Sequence, residues 1–438
     1  MFRRSSVLML VLSLMLVLTM FGSFLACSTK TMTATATTTA TATTTATQTA
    51  VSTTTATATA TQTIAPKVLT IGIVTPLTNF AVNVSMNYER AVMMAMADEN
   101  AKGGVTIGGQ PYTLAAVVRD DKFDQATAKS LADEMVFNLK VPVIIGPSQV
   151  EGPAMIQTTN ENKVLLFSMS PTADMINPEH PYDFAVGGIV SNQYATVMEY
   201  VTKFYPDAKR VVTFYGDMPD EPLEVGGAQQ ICKYYNLNWI DVVKFPTSTS
   251  DFAPYVQKLL ALKPDVVDLS GCGGALGSLE GTMIKQIREA GYSGIIVQPT
   301  VPPSSVMATV PSQYLDKIVT NDINIEGSVV SAQYKDLITR YYNQYGDWPI
   351  DMFAQSYNGI DAFFQFLNTQ NTMDTEQWMN NFAKYKWTSV FGPEAQWVDE
   401  TEYGINRALI QNYWTSEWKN GKLVTEYANK LPMELWTK

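Results

Sequence analysis

Several short polar segments of this sequence follow directly on apolar runs, and these segments carry the residues that could do chemistry. The clearest are GPSQVEG (146–152), SMSPTAD (168–174) and QPTVPPSS (298–305). Hydroxyl groups, amides and backbone N–H groups recognise polar ligands by hydrogen bonding, and a helix N-terminus adds a favourable field for an anion. These segments therefore indicate noncovalent recognition of a small molecule.

The sequence has few residues that could support covalent catalysis or metal binding. The single histidine, His180, lies in the turn NPEHPYD, so neither a histidine-based triad nor a histidine metal cluster is expected. The segment SGCGGALG (270–277) is similar to a dinucleotide fingerprint, but Gly277 falls one position late for G-x-G-x-x-G. We predict no enzyme activity, no cofactor and no metal.

The polar segments are positioned by a regular alternation of short apolar strands and helices. One series runs from the strand VLTIGIV (68–74) to VLLFSMS (164–170), and a second runs from the helix at 192–205 to the strand GIIVQPT (294–300). Such alternation predicts parallel sheets covered by helices on both faces, and two series predict two doubly wound α/β lobes. Ligands of open parallel sheets bind beyond the carboxyl ends of the strands, where the polar segments lie.

Taken in order, the segments resemble the leucine/isoleucine/valine-binding proteins, a branch of the type I periplasmic binding proteins that deliver ligands to ABC transporters. The resemblance rests on IGIVTPLTN, NAKGGVTIGGQPYTL, RDDKFDQATA, VIIGPS, FSMSPTAD and VFGPEAQWVDE, which are spread along the whole mature length. It implies a hinge that the chain crosses three times. Lobe one would take 67–189 and 328–389, and lobe two would take 190–327 and 390–438.

The resemblance also implies where the first lobe holds a ligand. Members of that family bind a ligand carboxylate with backbone N–H and hydroxyl groups at two strand ends, which here are GPSQV and SMSPT. The candidate residues are Ser148, Gln149, Ser170 and Thr172. Ser148 has a structural alternative, because Ser148 and Glu151 form the S-x-x-E pattern of a helix capping box.

The second lobe departs from the amino-acid-binding pattern of the family. Thr300 stands where those relatives carry the acidic residue that neutralises an α-ammonium group. Asp220 and Glu221, in the segment DMPDEP, are the candidates to supply that charge instead. The alternative is an acidic turn that is simply solvated.

Aromatic residues follow two of the first-lobe strands. Phe80 lies after the first strand and Phe123 after the second. We interpret both as candidates for the apolar wall of a ligand pocket. The alternative is that each side chain closes the top of the core.

The N-terminal segment predicts export and attachment to a membrane. Arg3 and Arg4 precede an apolar run, and small residues then lead to Cys27, which is the layout of a secretory signal. Residues 1–26 resemble a bacterial lipoprotein signal peptide, whose removal would make a lipid-bearing Cys27 the new N-terminus. The alternative is an uncleaved transmembrane anchor, because residues 7–26 are long enough to span a bilayer. Both interpretations place the rest of the chain outside the cytoplasm.

Residues 27–66 are almost entirely threonine and alanine. A segment of this composition buries too little apolar surface to offset the entropy of ordering it. We predict a disordered tether between the lipid and the folded lobes.

The composition of the chain also limits the class of partner that it could bind. The chain is 46% hydrophobic, enough for a real core, and its formal net charge is −11, which argues against a nucleic-acid partner. Cys232 and Cys272 are too few for a disulfide scaffold and are interpreted as two buried thiols, with a single bridge as the alternative.

These observations predict an extracytoplasmic, lipid-anchored solute-binding protein. It would capture a small polar organic ligand, an amino acid or a related carboxylate, between two lobes and deliver it to the permease of an ABC importer. The alternative function is a ligand-sensing receptor domain of the same fold that feeds a signalling partner.

Overall fold

The computed structural model describes the chain at 29–33, 59–78, 82–169, 171, 175–187, 190–218, 221–270, 277–299, 309–322, 325, 327–392, 394–397, 404–410 and 413–429. Strands and helices alternate through most of this length. The strands are β1 (Thr29–Thr33), β2 (Thr59–Thr63), β3 (Lys67–Thr75), β4 (Val105–Ile107), β5 (Gln110–Asp120), β6 (Val143–Ile145), β7 (Leu165–Ser168), β8 (Asp183–Ala185), β9 (Arg210–Gly216), β10 (Asn238–Phe245), β11 (Val266–Asp268), β12 (Ile295–Val297), β13 (Ile318–Thr320), β14 (Trp387–Thr388), β15 (Glu394–Trp397), β16 (Leu409–Ile410), β17 (Tyr413–Lys419) and β18 (Lys422–Asn429). The helices are α1 (Val82–Ala101), α2 (Gln125–Asp133, continued by a π-helical turn, Glu134–Asn138), α3 (Gly152–Glu161), α4 (Val190–Phe204), α5 (Glu221–Tyr234), α6 (Ala253–Ala261), α7 (Gly277–Glu289), α8 (Ala332–Tyr345), α9 (Asp351–Leu367) and α10 (Thr375–Phe382).

The first lobe is built on a sheet with the strand order β4-β5-β3-β6-β7-β8. All neighbours in it are parallel except the β4–β5 pair. Ile73 and Ile145 face a core that α1, α8 and α9 share, while Val74 and Ile144 face the opposite core with α2 and α3. Successive residues of one strand are thus buried on opposite faces of the sheet, which confirms the prediction that helices cover both faces.

The second lobe is built on a sheet with the order β10-β9-β11-β12-β13-β17-β18. Its first five strands are parallel, and β17 and β18 extend it as antiparallel strands. Ile296 packs with α6 and α7, whereas Ile295 and Val297 pack with α4 and α5 on the other face. The predicted pair of doubly wound α/β lobes is therefore confirmed.

The chain passes between the two sheets three times. It leaves the first sheet after β8 and returns after β13 to place α8 and α9 on the first core, and it enters the second sheet again at β17. The small antiparallel sheet β14-β15-β16 precedes this last crossing. Ala395, Trp397 and Leu409 pack in the first core. The residue-level lobe boundaries stay predictions, and this packing favours a last crossing after residue 410 instead of 390.

The threonine-rich tract differs in part from the predicted disordered tether. β1 and β2 pair as antiparallel strands, with Thr29 opposite Thr63 and Thr33 opposite Thr59. Threonine is β-branched and suits an extended backbone, so a threonine-rich segment can pair as a strand. Residues 34–58, which connect these strands, and the signal segment with Cys27 lie outside the described residues.

Candidate ligand-binding site

The carboxyl ends of the first-lobe strands lie close together because β3 sits between β5 and β6. Gly146, which follows β6, has a left-handed φ of +124°. A Cβ at this position would lie 2.6 Å from the carbonyl oxygen of Val74, so only glycine permits this close approach of the two strand ends. The approach brings the loops after β3, β5 and β6 to one edge of the sheet.

Asp120 joins the loop after β3 to the loop after β5. Its Oδ1 accepts the N–H of Leu77 at 2.9 Å, and its Oδ2 accepts the hydroxyl of Thr78 at 2.7 Å. Oδ1 also accepts the N–H of Lys122 at 2.9 Å. Burial opposes ionisation of Asp120, but these hydrogen bonds outweigh it and hold the pKa below its usual value. Asp120 is thus an ionised structural link.

The turn after Asp120 has an unusual backbone. Lys122 and Phe123 both adopt left-handed conformations, with φ of 60° and 59°. Two consecutive left-handed residues other than glycine are costly and persist only when their surroundings hold them. The N–H of Phe123 donates to Asp121 Oδ1 at 2.9 Å, which helps to hold this turn. The predicted pocket residue Phe123 is half-buried here.

Ser148 and Glu151 form a compact turn before α3. Glu151 Oε2 accepts both the N–H of Ser148 at 3.0 Å and its hydroxyl at 2.5 Å. The Ser148 Oγ in turn accepts the N–H of Val150 at 3.2 Å. The capping box is therefore only half formed. The Glu151 carboxylate accepts the N–H of Ser148, as in a capping box, but the Ser148 hydroxyl donates to Glu151 instead of accepting a helix N–H. The N-cap residue of α3 is Glu151 itself.

Asp121 and Glu151 are two carboxyl groups buried together at this edge, each with no exposed surface. Burial and the neighbouring charge of Glu151 raise the pKa of Asp121 to about 8. Two carboxylates that are buried close together cannot both ionise cheaply. The buried pair therefore holds a proton more tightly than a solvated carboxyl group would.

The second lobe also buries carboxyl groups at the carboxyl ends of its strands. Asp268, at the end of β11, accepts the hydroxyl of Thr213 at 2.9 Å and the N–H of Ser270 at 2.8 Å. Burial raises its pKa despite these bonds. Glu280, in the first turn of α7, is fully buried near Gln298, and burial raises its pKa well above the usual value.

Glu221 is the described member of the acidic pair predicted for the second lobe. It is the first residue of α5, where the helix dipole favours a negative charge. Its Oε2 lies 3.3 Å from the Nζ of Lys244 at the end of β10. This ion pair competes with the predicted contact to a ligand ammonium group.

Three of the predicted site residues fall in neighbouring first-lobe loops: Phe123 after β5, and Ser148 and Gln149 after β6. A hydrogen bond of 2.9 Å from Gln125 Nε2 to the carbonyl oxygen of Val150 ties these loops together. Apart from Glu221, the other candidates lie outside the described residues, namely Phe80, Ser170, Thr172, Asp220, Thr300 and the lipidation candidate Cys27. Their roles stay predictions.

Sequence reasoning missed the buried carboxyl groups. Asp121 lies in the segment RDDKFDQ after a strand, and Glu151 is the acidic residue of the S-x-x-E pattern. The sequence shows an acidic residue near each of two strand ends. The neighbouring residues do not show that these two carboxyl groups are buried against each other. In the part of the chain that the structure describes, no group of three or more His, Cys, Asp or Glu residues could hold a metal ion.

Comparison with known proteins agrees with this architecture. The model of the periplasmic binding protein family matches residues 68–422. None of the described helices is long and apolar enough to cross a membrane.

Several solved structures share the fold at low sequence identity. A solute-binding protein of an ABC transporter from Rhodopseudomonas palustris, in complex with 3,4-dihydroxybenzoic acid, aligns with a TM-score of 0.67 and 20% identity over 83% of this chain and 97% of that one. The substrate-binding protein of a branched-chain amino acid transporter from Streptococcus pneumoniae, in complex with isoleucine, aligns with a TM-score of 0.68 and 19% identity. The alignment covers 83% of this chain and 99% of that one. A second R. palustris solute-binding protein, in complex with benzoate, aligns with a TM-score of 0.64 and 17% identity. The alignment covers 83% of this chain and 97% of that one. With a family match over most of its length and the same two-lobe fold, the chain belongs to the periplasmic binding protein family.

Proposed function

We propose that this protein captures a small polar organic molecule between its two lobes and delivers it to an ABC importer. The observation that carries the proposal is the family match over 68–422, combined with hydrogen-bonding groups at the carboxyl ends of the strands in both sheets. Parallel sheets of this kind bind ligands at that edge.

The known ligands of similar proteins suggest the class of molecule. Proteins of this fold bind isoleucine, benzoate and 3,4-dihydroxybenzoate. All three are small organic acids, and one is an amino acid. An amino acid or a related organic molecule is therefore the starting hypothesis for the ligand of this protein.

The N-terminal segment supports a location at the outer face of a bacterial membrane. The charged start, the apolar run and the small residues before Cys27 support export followed by lipidation of that cysteine. A lipid on Cys27 would hold the lobes near the permease that receives the ligand. Residues 28–66 would be the spacer between the lipid and the lobes.

Two measurements test the proposal. Mass spectrometry of molecules released from the gently purified protein should identify a small organic ligand. Uptake of that labelled ligand should fall in cells that lack the gene and recover when the gene is restored. Unchanged uptake, together with a transcriptional response that depends on the protein, would favour a sensing receptor. Conversion of the ligand by the purified protein would indicate an enzyme.

A further inference from the structure

We propose that the membrane anchor lies close to the first lobe and holds an exposed apolar surface of that lobe against the lipid bilayer. The inference rests on the proposed attachment of the chain to a membrane at Cys27, and it specifies how the lobes are held there. The surface, which we call the anchor-side edge, has the apolar residues Val68, Phe137 and Leu139 and the basic residues Lys67 and Lys140.

The first observation is the register of β1 and β2. Thr29 is paired with Thr63 and Thr33 with Thr59, so the open end of this hairpin is formed by the residues nearest to Cys27 and to the first lobe. Paired Cα atoms of antiparallel strands lie about 5 Å apart. The chain therefore returns to within a few residues of its anchor before it enters β3.

The second observation is that the chain is held on the first lobe directly after β2. Gln110 Nε2, at the start of β5, donates to the carbonyl oxygen of Ala65 at 3.0 Å. Ala65 is two positions after Thr63, and Cys27 is two positions before Thr29. With Cα atoms about 3.8 Å apart along the chain and about 5 Å apart across the pair, Cys27 lies within about 20 Å of Ala65. A fully extended chain between the same two residues would reach about 125 Å at about 3.3 Å per residue.

The third observation is the apolar surface beside this attachment point. Val68, the second residue of β3, is 65% exposed and lies on the same face of the strand as Gly72. A Cβ at Gly72 would lie 3.0 Å from Met135 Sδ, so the end of α2 packs on that face. Phe137 and Leu139 follow Met135 and are 55% and 38% exposed. Exposed apolar side chains gathered at one edge of a sheet mark a contact surface.

The charge of this edge is opposite in sign to that of the whole chain. The formal net charge of the chain is −11, but Lys67 and Lys140 are the only charged residues of the segments 64–68 and 137–143. Lys67 begins β3, Lys140 lies in the turn before β6, and both are exposed. Lysines beside exposed apolar side chains are attracted to anionic lipid headgroups while the apolar groups enter the interface. A lipid surface is therefore the partner that this edge fits.

The short connection to the anchor and the exposed edge support one another. Three apolar side chains and two lysines bind a bilayer only weakly by themselves. A lipid held within about 20 Å keeps the edge in reach of the bilayer and raises the effective concentration of the contact. A connection of full length would dilute the same contact, because the lobes would then sample a much larger volume.

The experiment places a fluorophore at the anchor-side edge of the full-length mature protein, lipidated and reconstituted in vesicles. The variant Phe137→p-azidophenylalanine is labelled by click chemistry, which leaves Cys27 available for its lipid. The vesicles contain phosphatidylethanolamine and phosphatidylglycerol, with a nitroxide-labelled lipid as the quencher. The matched position is Phe204 at the end of α4 in the second lobe, which is 49% exposed. We expect quenching at Phe137, and at Leu139 as a second label position, to be at least about threefold stronger than at Phe204.

A pair of prolines tests the hairpin. Thr31→Pro together with Thr61→Pro replaces two paired residues of β1 and β2 by residues that cannot donate to the ladder. Quenching of the label at Phe137 should fall at least about twofold, because the anchor then no longer lies close to the lobe. The matched control is Thr43→Pro together with Thr45→Pro, which lies in the same tract outside β1 and β2 and should leave the quenching unchanged.

A change of the surface tests the contact itself. Leu139→Asp together with Lys140→Glu removes an apolar group and reverses a charge at exposed positions. With the label at Phe137, quenching should again fall at least about twofold. Lys258→Glu, at an exposed position of α6 in the second lobe, is the control and should leave it unchanged. Circular dichroism confirms that each variant is folded.

Three results would overturn the inference: equal quenching at Phe137 and Phe204, quenching at Phe137 that the prolines in β1 and β2 leave unchanged, or shielding of the label only after the permease is added to the vesicles. The last result would assign the edge to the permease. Failure of the proposed lipidation would appear separately, as a Cys27 that carries no fatty acid in cells. The mature protein coupled through Cys27 to a maleimide lipid then tests the same geometry.

Discussion

The hydroxyl of Ser168 donates a 2.7 Å hydrogen bond to Asp183 Oδ1 and so joins the carboxyl end of β7 to the start of β8 inside the first lobe. Both residues are fully buried. Burial raises the pKa of Asp183 to about 7, because this bond and a backbone hydrogen bond from Phe184 offset only part of the lost solvation. The folded protein therefore keeps a proton on Asp183 that the unfolded chain releases near pH 4.

This proton predicts how stability changes with pH. Between about pH 4 and about pH 7 the folded state binds more protons than the unfolded state, so the contribution of Asp183 to the free energy of unfolding falls as the pH rises. Asp183→Asn keeps an acceptor for Ser168 and removes the titration. We expect a flatter pH dependence of the urea unfolding free energy in this variant. The exposed change Asp336→Asn is the control, and equal slopes for Asp183→Asn and wild type would contradict the prediction.

Arg288 connects the C-terminal end of α7 to the neighbouring loops by hydrogen bonds. Its guanidinium is largely buried and donates to the carbonyl oxygens of Gly294 at 2.8 Å and Asp316 at 2.6 Å. Arg288→Lys keeps the charge but loses the planar fork that reaches both oxygens. We expect a loss of about 2–3 kcal/mol in unfolding free energy, measured by chemical denaturation. Lys285→Gln on the same helix should cost far less, and similar losses would show that Arg288 acts only as a surface charge.

Cys232 should be chemically inert in the folded protein. It is a free buried thiol, its Sγ lies 3.6 Å from the hydroxyl oxygen of Tyr194, and burial raises its pKa to about 12. Because the thiolate is the reactive form, alkylation should be negligible until the chain unfolds. Iodoacetamide labelling of a Cys272→Ser variant, read by peptide mass spectrometry with and without denaturant, measures this. Rapid labelling of the native protein at Cys232 would disagree.

Lipidation of Cys27 follows from the proposed export signal. Metabolic labelling with a fatty-acid analogue should mark the wild-type protein, and Cys27→Ser should lose the mark and leave the membrane fraction. Cys272→Ser is the control and should keep the label. Equal labelling of wild type and Cys27→Ser would rule out Cys27 as the lipid attachment site.

The two lobes should close on the ligand, because the chain connects them at three crossings and their strand ends carry the proposed ligand-binding groups. Small-angle X-ray scattering with the identified ligand at saturation should show a smaller radius of gyration than without it. An unchanged profile at saturation would count against a closing cleft.

Local pattern was enough to predict most of the architecture. Short apolar runs such as β12 and the helices between them can be recognised from the sequence, because burial on both faces of a sheet demands continuous apolar residues. The segments that carry Phe123, Ser148 and Gln149 are recognised in the same way, as polar or aromatic positions that follow such strands, and the family resemblance implies the ligand-binding roles of Ser148 and Gln149, which stay predictions. The pairing of β1 with β2 could not be predicted, because it depends on contacts between segments far apart in a monotonous sequence.

The sequence by itself determined the two α/β lobes and the loops that carry the candidate site, because hydrophobic periodicity and turn residues act over a few positions. The return of residues 328–389 to the first lobe is implied by the family resemblance. Only the tertiary structure decided what those loops contain. The sheet order places β3 between β5 and β6, and this brings Asp121 and Glu151 to one buried edge. Burial and mutual repulsion then raise the pKa of Asp121, and the turn before α3 directs the donors of Ser148 to Glu151. These effects depend on distance and burial, which no local pattern encodes.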